Sequence, residues 1–94
     1  MSKLKVYQAK NPTFGMGGHP EFNEQNFDLV AELTGEHLDD AFHLTNHIDS
    51  NWTNRVREGF IVVKKDSRST SVGDVVVQDG IPYRCENRGW KEIK

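Results

Sequence analysis

A single cysteine, Cys85, stands among the 94 residues, so no internal disulfide can form and a reducing cytoplasm is the expected setting. No stretch approaches the ~20 consecutive apolar residues that a membrane span requires, so no membrane association is expected. The opening residues Met-Ser-Lys-Leu-Lys-Val-Tyr carry charge but no apolar run, which predicts no secretory signal. Asn51-Trp-Thr fits a glycosylation acceptor, which a cytosolic chain would not use. The most telling absence is of one sign of charge: residues 11–54 hold no lysine or arginine.

Acids stand there instead. Glu21, Glu24, Asp28, Glu32, Glu36, Asp39, Asp40 and Asp49 give this stretch a formal charge of −8. Residues 1–10 carry +3 and residues 55–94 carry +3, which leaves the chain at −2. Such a segment attracts cations or basic protein surfaces and repels phosphate. The composition, 35% apolar and 28% charged, is ordinary for a globular protein. A chain of this length buries roughly 60–70% of its unfolded surface, enough for one modest core with little left over for a deep substrate pocket. One domain spanning 1–94 is expected, and a binding protein over an enzyme.

Residues 3–9 alternate Lys3 and Lys5 with Leu4 and Val6, as a strand does. Residues 10–26, with Pro12, Gly15, Gly17, Gly18 and Pro20, read as a long loop pinned to the body by Phe14 and Phe22. Residues 27–33 alternate well enough for a strand, with a helix as the alternative. Thr34 or Gly35 then caps a helix over about 36–47. Spacing at 100° per residue sets Leu38, Ala41, Phe42 and Thr45 on one face and Glu36, Asp40, His43 and His47 on the other. Residues 59–65 form a β-branched strand, and Asp66–Ser71 a polar turn. Val75–Arg84 reads as a hairpin turning at Asp79-Gly80, with Pro82 at an edge or bulge. Asn87-Arg88-Gly89 turns into a last short strand. The expected class is α+β: a small, mostly antiparallel sheet in the order β-β-α-β-β-β-β, ending in a meander and packed against one helix.

Each candidate for chemistry has a simpler structural explanation. His43 and His47 are spaced for one metal ion, with Asp39 and Asp40 near, but nothing completes a tetrahedral set, and a solvated helix face accounts for them. Cys85 falls inside a strand, where a small hydrophobe is commonplace. Gly15-Met-Gly-Gly-His lacks the Gly-Lys-Ser/Thr ending of a phosphate loop. Arg68-Ser-Thr-Ser-Val-Gly-Asp is the most distinctive string: a structural turn in which Ser69, Ser71 and Asp74 satisfy their own backbone and Arg68 pairs with an acid, or a recognition loop. Trp52 is either a lid on the core or an interface anchor. Arg55, Arg57, Lys64, Lys65, Arg84 and Arg88, with Tyr83 and Trp90, are the residues from which a nucleic-acid face would be built. Neither catalytic residue, metal nor cofactor is expected.

The segment from Ala41-Phe-His-Leu-Thr-Asn-His-Ile-Asp to Trp52, the Arg68-Ser-Thr-Ser-Val-Gly-Asp-Val-Val string and Tyr83-Arg-Cys-Glu-Asn-Arg-Gly-Trp90 together resemble small uncharacterised proteins of bacteriophages, plasmids and mobile elements. The Arg-Ser-x-Ser-Val-Gly-Asp string also looks like the one in YodL-like domains. The likeness covers roughly residues 27–93 and brings no established activity. It implies a phage-type accessory protein in the host cytoplasm that binds a host or phage protein. In this picture Glu36, Asp39, Asp40, His43 and His47 meet a basic surface, Trp52 anchors the contact, and a partner that handles nucleic acid is inhibited. The alternative is a nucleic-acid-binding module using the basic carboxy-terminal sheet. Exposed sheet edges also make a homodimer an expectation.

Overall fold

Strand β1 (Ser2–Ala9) lies in the interior of the sheet, and its alternation decides what the two sheet faces bury. Leu4 and Val6 point to one face and are fully buried, while Lys3 on the other is exposed. The computed structural model describes residues 2–11, 21–46, 51–54, 58–86 and 88–93. Residues 12–20 of the expected loop, including Gly15-Met-Gly-Gly-His and Phe14, lie outside the described residues. So do His47, Arg55 and Arg57.

Beside β1 runs β2 (Phe27–Gly35), antiparallel, with its register shifted between Val6 and Tyr7. Ala31 faces Val6 and Leu29 faces Tyr7, so Val30 is an extra residue. This β-bulge flips the alternation of the strand. Ala31 and Leu33 join Leu4 and Val6 in one core, whereas Phe27 joins Ala9 in a second cluster on the opposite face. The ambiguous pattern of residues 27–33 is a strand, and the bulge is why its alternation looked imperfect.

Helix α1 (Leu38–Leu44) is shorter than the expected 36–47. Its N-cap is His37, not Thr34 or Gly35, because β2 continues through Gly35. Seven residues do not hold a helix in water alone; burial of Ala41, Leu44 and Thr45 against the sheet holds this one. A 3-10 turn at Trp52–Asn54 completes that layer. Strand β3 (Phe60–Val62) is trimmed relative to the expected 59–65. Gly59 has φ +75° before it and Asp66 has φ +58° after it.

Strands β4 (Val75–Gln78), β5 (Ile81–Glu86) and β6 (Gly89–Glu92) form the carboxy-terminal meander. The β4–β5 turn is Asp79-Gly80, with φ +51° and +85°, the left-handed pair a two-residue hairpin needs. Pro82 pairs with Val77 in β5 and accepts from the Ile93 N–H at 2.9 Å, just past the end of β6. Among the described residues the fold is α+β, with six strands in one antiparallel sheet ordered β3-β2-β1-β4-β5-β6. That sheet is larger than the small one expected, and its spatial order is not the chain order, because β1 pairs with both β2 and β4.

The main core lies between the sheet and the α1 layer, built on Leu4, Val6, Val30, Leu33, Val76 and Trp52. On the open face Phe22 stacks edge-on against Tyr7 at 5.1 Å and Phe27 at 5.2 Å, pinning the segment before β2 as expected. No helix among the described residues is long and apolar enough to cross a membrane.

Candidate functional site

The turn from β2 into α1 gathers the acids. Asp40 accepts hydrogen bonds from the Glu36 N–H at 3.1 Å and the His37 N–H at 3.0 Å, satisfying donors that the helix start leaves open. Glu36 therefore precedes the helix and is not part of it, and its carbonyl accepts from Gln78 Nε2 at 3.3 Å. Asp39, one residue earlier than Asp40, accepts from the indole N–H of Trp90 at 3.0 Å. Glu36, Asp39, Asp40 and His43 are all exposed. The hydrogen bonds just named come to Asp39 and Asp40 from neutral donors and orient the carboxylates.

Beside Asp39 lies a shallow notch of about 210 Å³, lined by Asp39, Phe42, Cys85, Glu86, Gly89 and Trp90. Phe42 and Trp90 meet edge to face, their ring centroids 6.3 Å apart. Cys85 is buried in β5, and burial pushes its thiol up to about 11, with the carboxylates of Asp74, Asp39 and Glu86 adding to the shift. The thiol is thus protonated at neutral pH, which makes it a poor nucleophile and a poor metal ligand. Glu86 is partly compensated, since Arg84 Nε donates to it at 2.7 Å. The arrangement suits a lysine or arginine side chain: its stem would lie against the rings and its charge beside Asp39.

Other expected site residues are placed elsewhere. Trp52, expected as a core lid or an interface anchor, has 0% exposure and donates its indole N–H to the Arg68 carbonyl at 2.6 Å. It is a core residue, so it is removed from the partner-binding face. Of the acids in residues 11–54, Asp28 is neutralised by Lys64 at 2.9 Å and Lys10 at 3.8 Å. His43 is exposed on α1, and among the described residues no group of three His, Cys, Asp or Glu side chains is placed to hold a metal ion.

The Arg68–Asp74 string folds inward on itself. Asp74, fully buried, accepts from Arg68 Nη1 at 2.7 Å and Nη2 at 2.8 Å, from the Ser71 N–H at 2.8 Å and from the Ala9 N–H at 2.9 Å. Arg68 also donates to the Ser69 carbonyl at 3.0 Å and the Ala9 carbonyl at 3.1 Å. Those contacts tie the loop to the end of β1, as the structural-turn alternative requires.

Among the described residues the basic side chains of that set do not converge. Lys64 and Lys65 follow β3 at one edge of the sheet, and Arg84 and Arg88 belong to the β5–β6 hairpin at the other. Tyr83 and Trp90 pair with residues on β4 and β5 rather than standing beside Lys64.

Trp90, Phe42, Cys85 and Glu86 were not expected to share a site with Asp39. Trp90 lies 51 residues from Asp39 in sequence. The one local signal is a tryptophan in an otherwise polar final strand, Gly-Trp-Lys-Glu. No protein-family model, curated protein or solved structure matches this chain.

Proposed function

We propose that the chain is a non-enzymatic binding protein that docks a basic protein surface with the acidic face of Glu36, Asp39, Asp40 and His43. The notch at Asp39 and Trp90 receives one lysine or arginine of the partner. The supporting observation is that Glu36, Asp39 and Asp40 are exposed together at the start of one short helix. A partner that uses its basic surface for nucleic acid would be inhibited by occupancy. The accessory role in a phage or mobile element, in a host cytoplasm, belongs to the same proposal.

The test is capture from lysate of the natural host by the parent chain and by a Glu36→Lys/Asp39→Lys variant. Asp40 is left in place because it holds the helix start. The variant should lose the partner, and raised salt should weaken the parent's hold. Capture that survives both changes removes this face from the proposal.

A second reading has one observation in its favour. The register places Lys5, Arg84 and Lys91 on the sheet face opposite α1, with Val77 and Ile93 between them. A nucleic-acid module built there must show binding in gel shifts that falls steeply with salt.

A further inference from the structure

Strand β3 closes one edge of the sheet with three residues, yet the two most exposed of the large apolar side chains among the described residues stand there. Ile61 is 62% exposed and Val63, one residue beyond the strand, is 48% exposed. The ladder to β2 fixes which way the backbone points. The Thr34 N–H donates to the Gly59 carbonyl at 2.8 Å, and the Val63 N–H donates to the Val30 carbonyl at 2.9 Å. Gly59, Ile61 and Val63 therefore turn their backbone groups toward β2. By alternation Phe60 and Val62 direct theirs outward, and among the described residues nothing pairs with them. The free edge carries no proline, bulge or covering loop among the described residues, the usual devices that keep an edge unpaired.

We propose that this edge pairs antiparallel with the same edge of a second copy, in the register that sets Ile61 against the partner's Ile61. In that register Phe60 and Val62 exchange backbone hydrogen bonds with the partner's Val62 and Phe60, so each outward group is used. Ile61 and the partner's Ile61 form the non-hydrogen-bonded pair, with Cα atoms about 4.5 Å apart, where side chains meet most closely. Val63 falls across from the partner's Gly59, which has no side chain to obstruct it. Beyond the strand ends, Glu58 of each copy lies on the side of the other's Lys64, opposite in sign. Only another copy of the chain supplies all of these matches at once, and the contact is closed and twofold. The two α1 helices then lie on one face of a continuous sheet, with the two acidic notches toward its opposite ends, each beside β5 and β6. The pairing does not depend on the function proposed for those notches.

Sedimentation equilibrium of the parent over a concentration series should show a monomer–dimer equilibrium. Ile61→Lys places like charges at the twofold, and Val62→Pro deletes an outward N–H without touching the β2 ladder. Each should weaken the dimer at least roughly tenfold while leaving the far-UV circular dichroism unchanged. If Ile61→Lys fails to fold, the register is tested by cross-linking: Ile61→Cys should oxidise to a disulfide dimer well ahead of Val63→Cys, because only residue 61 meets itself. A parent that stays monomeric up to about 1 mM, a dimer indifferent to Val62→Pro, or faster cross-linking through Val63→Cys overturns the proposal.

Discussion

Replacing Asp74 with alanine is expected to destabilise the chain by about 3 kcal/mol. The carboxylate is fully buried and accepts four hydrogen bonds shorter than 3 Å: two from Arg68, one from Ser71 N–H and one from Ala9 N–H. Removing it leaves the guanidinium without its ion partner, but the Arg68 side chain is 30% exposed and keeps the carbonyls of Ala9 and Ser69. The lower end of the range for breaking a buried pair, roughly 3–5 kcal/mol, therefore applies. Arg68→Ala should cost more, close to about 5 kcal/mol, because the carboxylate it strands is 1% exposed. The double variant should cost less than the two singles added, by about 2–3 kcal/mol of coupling. Urea unfolding followed by circular dichroism measures all three. At a slope on the order of 1.5 kcal/mol per molar urea, Asp74→Ala moves the midpoint down by roughly 2 M. A shift under about 0.7 M, or strictly additive costs, would refute the idea that this pair holds the loop to β1.

Four further outcomes follow from the same contacts. Folded Cys85 should resist thiol reagents at pH 7 to 8 and react once urea unfolds the chain. Because its folded pKa of about 11 lies above the ordinary 9.0, the unfolded thiol ionises first; the stability it contributes is full below pH 9 and is lost as pH rises to 11, so the gap between parent and Cys85→Ala should narrow across that window. Trp52→Phe deletes a buried indole donor and should cost about 1–3 kcal/mol, whereas Trp90→Phe, at a half-buried site, should cost about 1 kcal/mol or less; urea midpoints distinguish them. Asp40→Ala unties the Glu36 and His37 amides and should cost about 1 kcal/mol, read from the same midpoints. Gly80→Ala meets no neighbour within 4 Å but sits at φ +85°, so it should cost about 1 kcal/mol through backbone strain alone.

How much of this was legible in the sequence depends on whether the signal was local. The Asp79-Gly80 turn announces itself because two successive positive φ angles need those residue types. The alternation of Lys3, Leu4, Lys5 and Val6 marks β1 for the same reason. The start of α1 was misplaced because Thr34 and Gly35 look like caps, yet strand pairing of Thr34 with Lys3 and Gly35 with Ser2 carries β2 past them. The central position of β1 was not legible, since its pairing with β4 joins residues some seventy positions apart. Of the site, the exposed acids could be read from charge alone. The fate of Trp52 could not, because an isolated tryptophan in a loop suits a core and an interface equally well, and only the Arg68 carbonyl beneath its indole decides. The same distance effect hid the contact between Trp90 and Asp39.

The extra residue at Val30 lets one ribbon adhere to different neighbours along its length. Its later half serves the layer beneath α1, and its earlier half serves the aromatic cap formed with Phe22. Deleting Val30 would leave Ala31 opposite Val6 and Leu29 opposite Tyr7 in one unbroken ladder, so each half of the ribbon would keep the face it now serves, and the main core would lose one buried valine. The cost of that deletion is therefore the lost packing of a single side chain, with the pairing of the ribbon left intact.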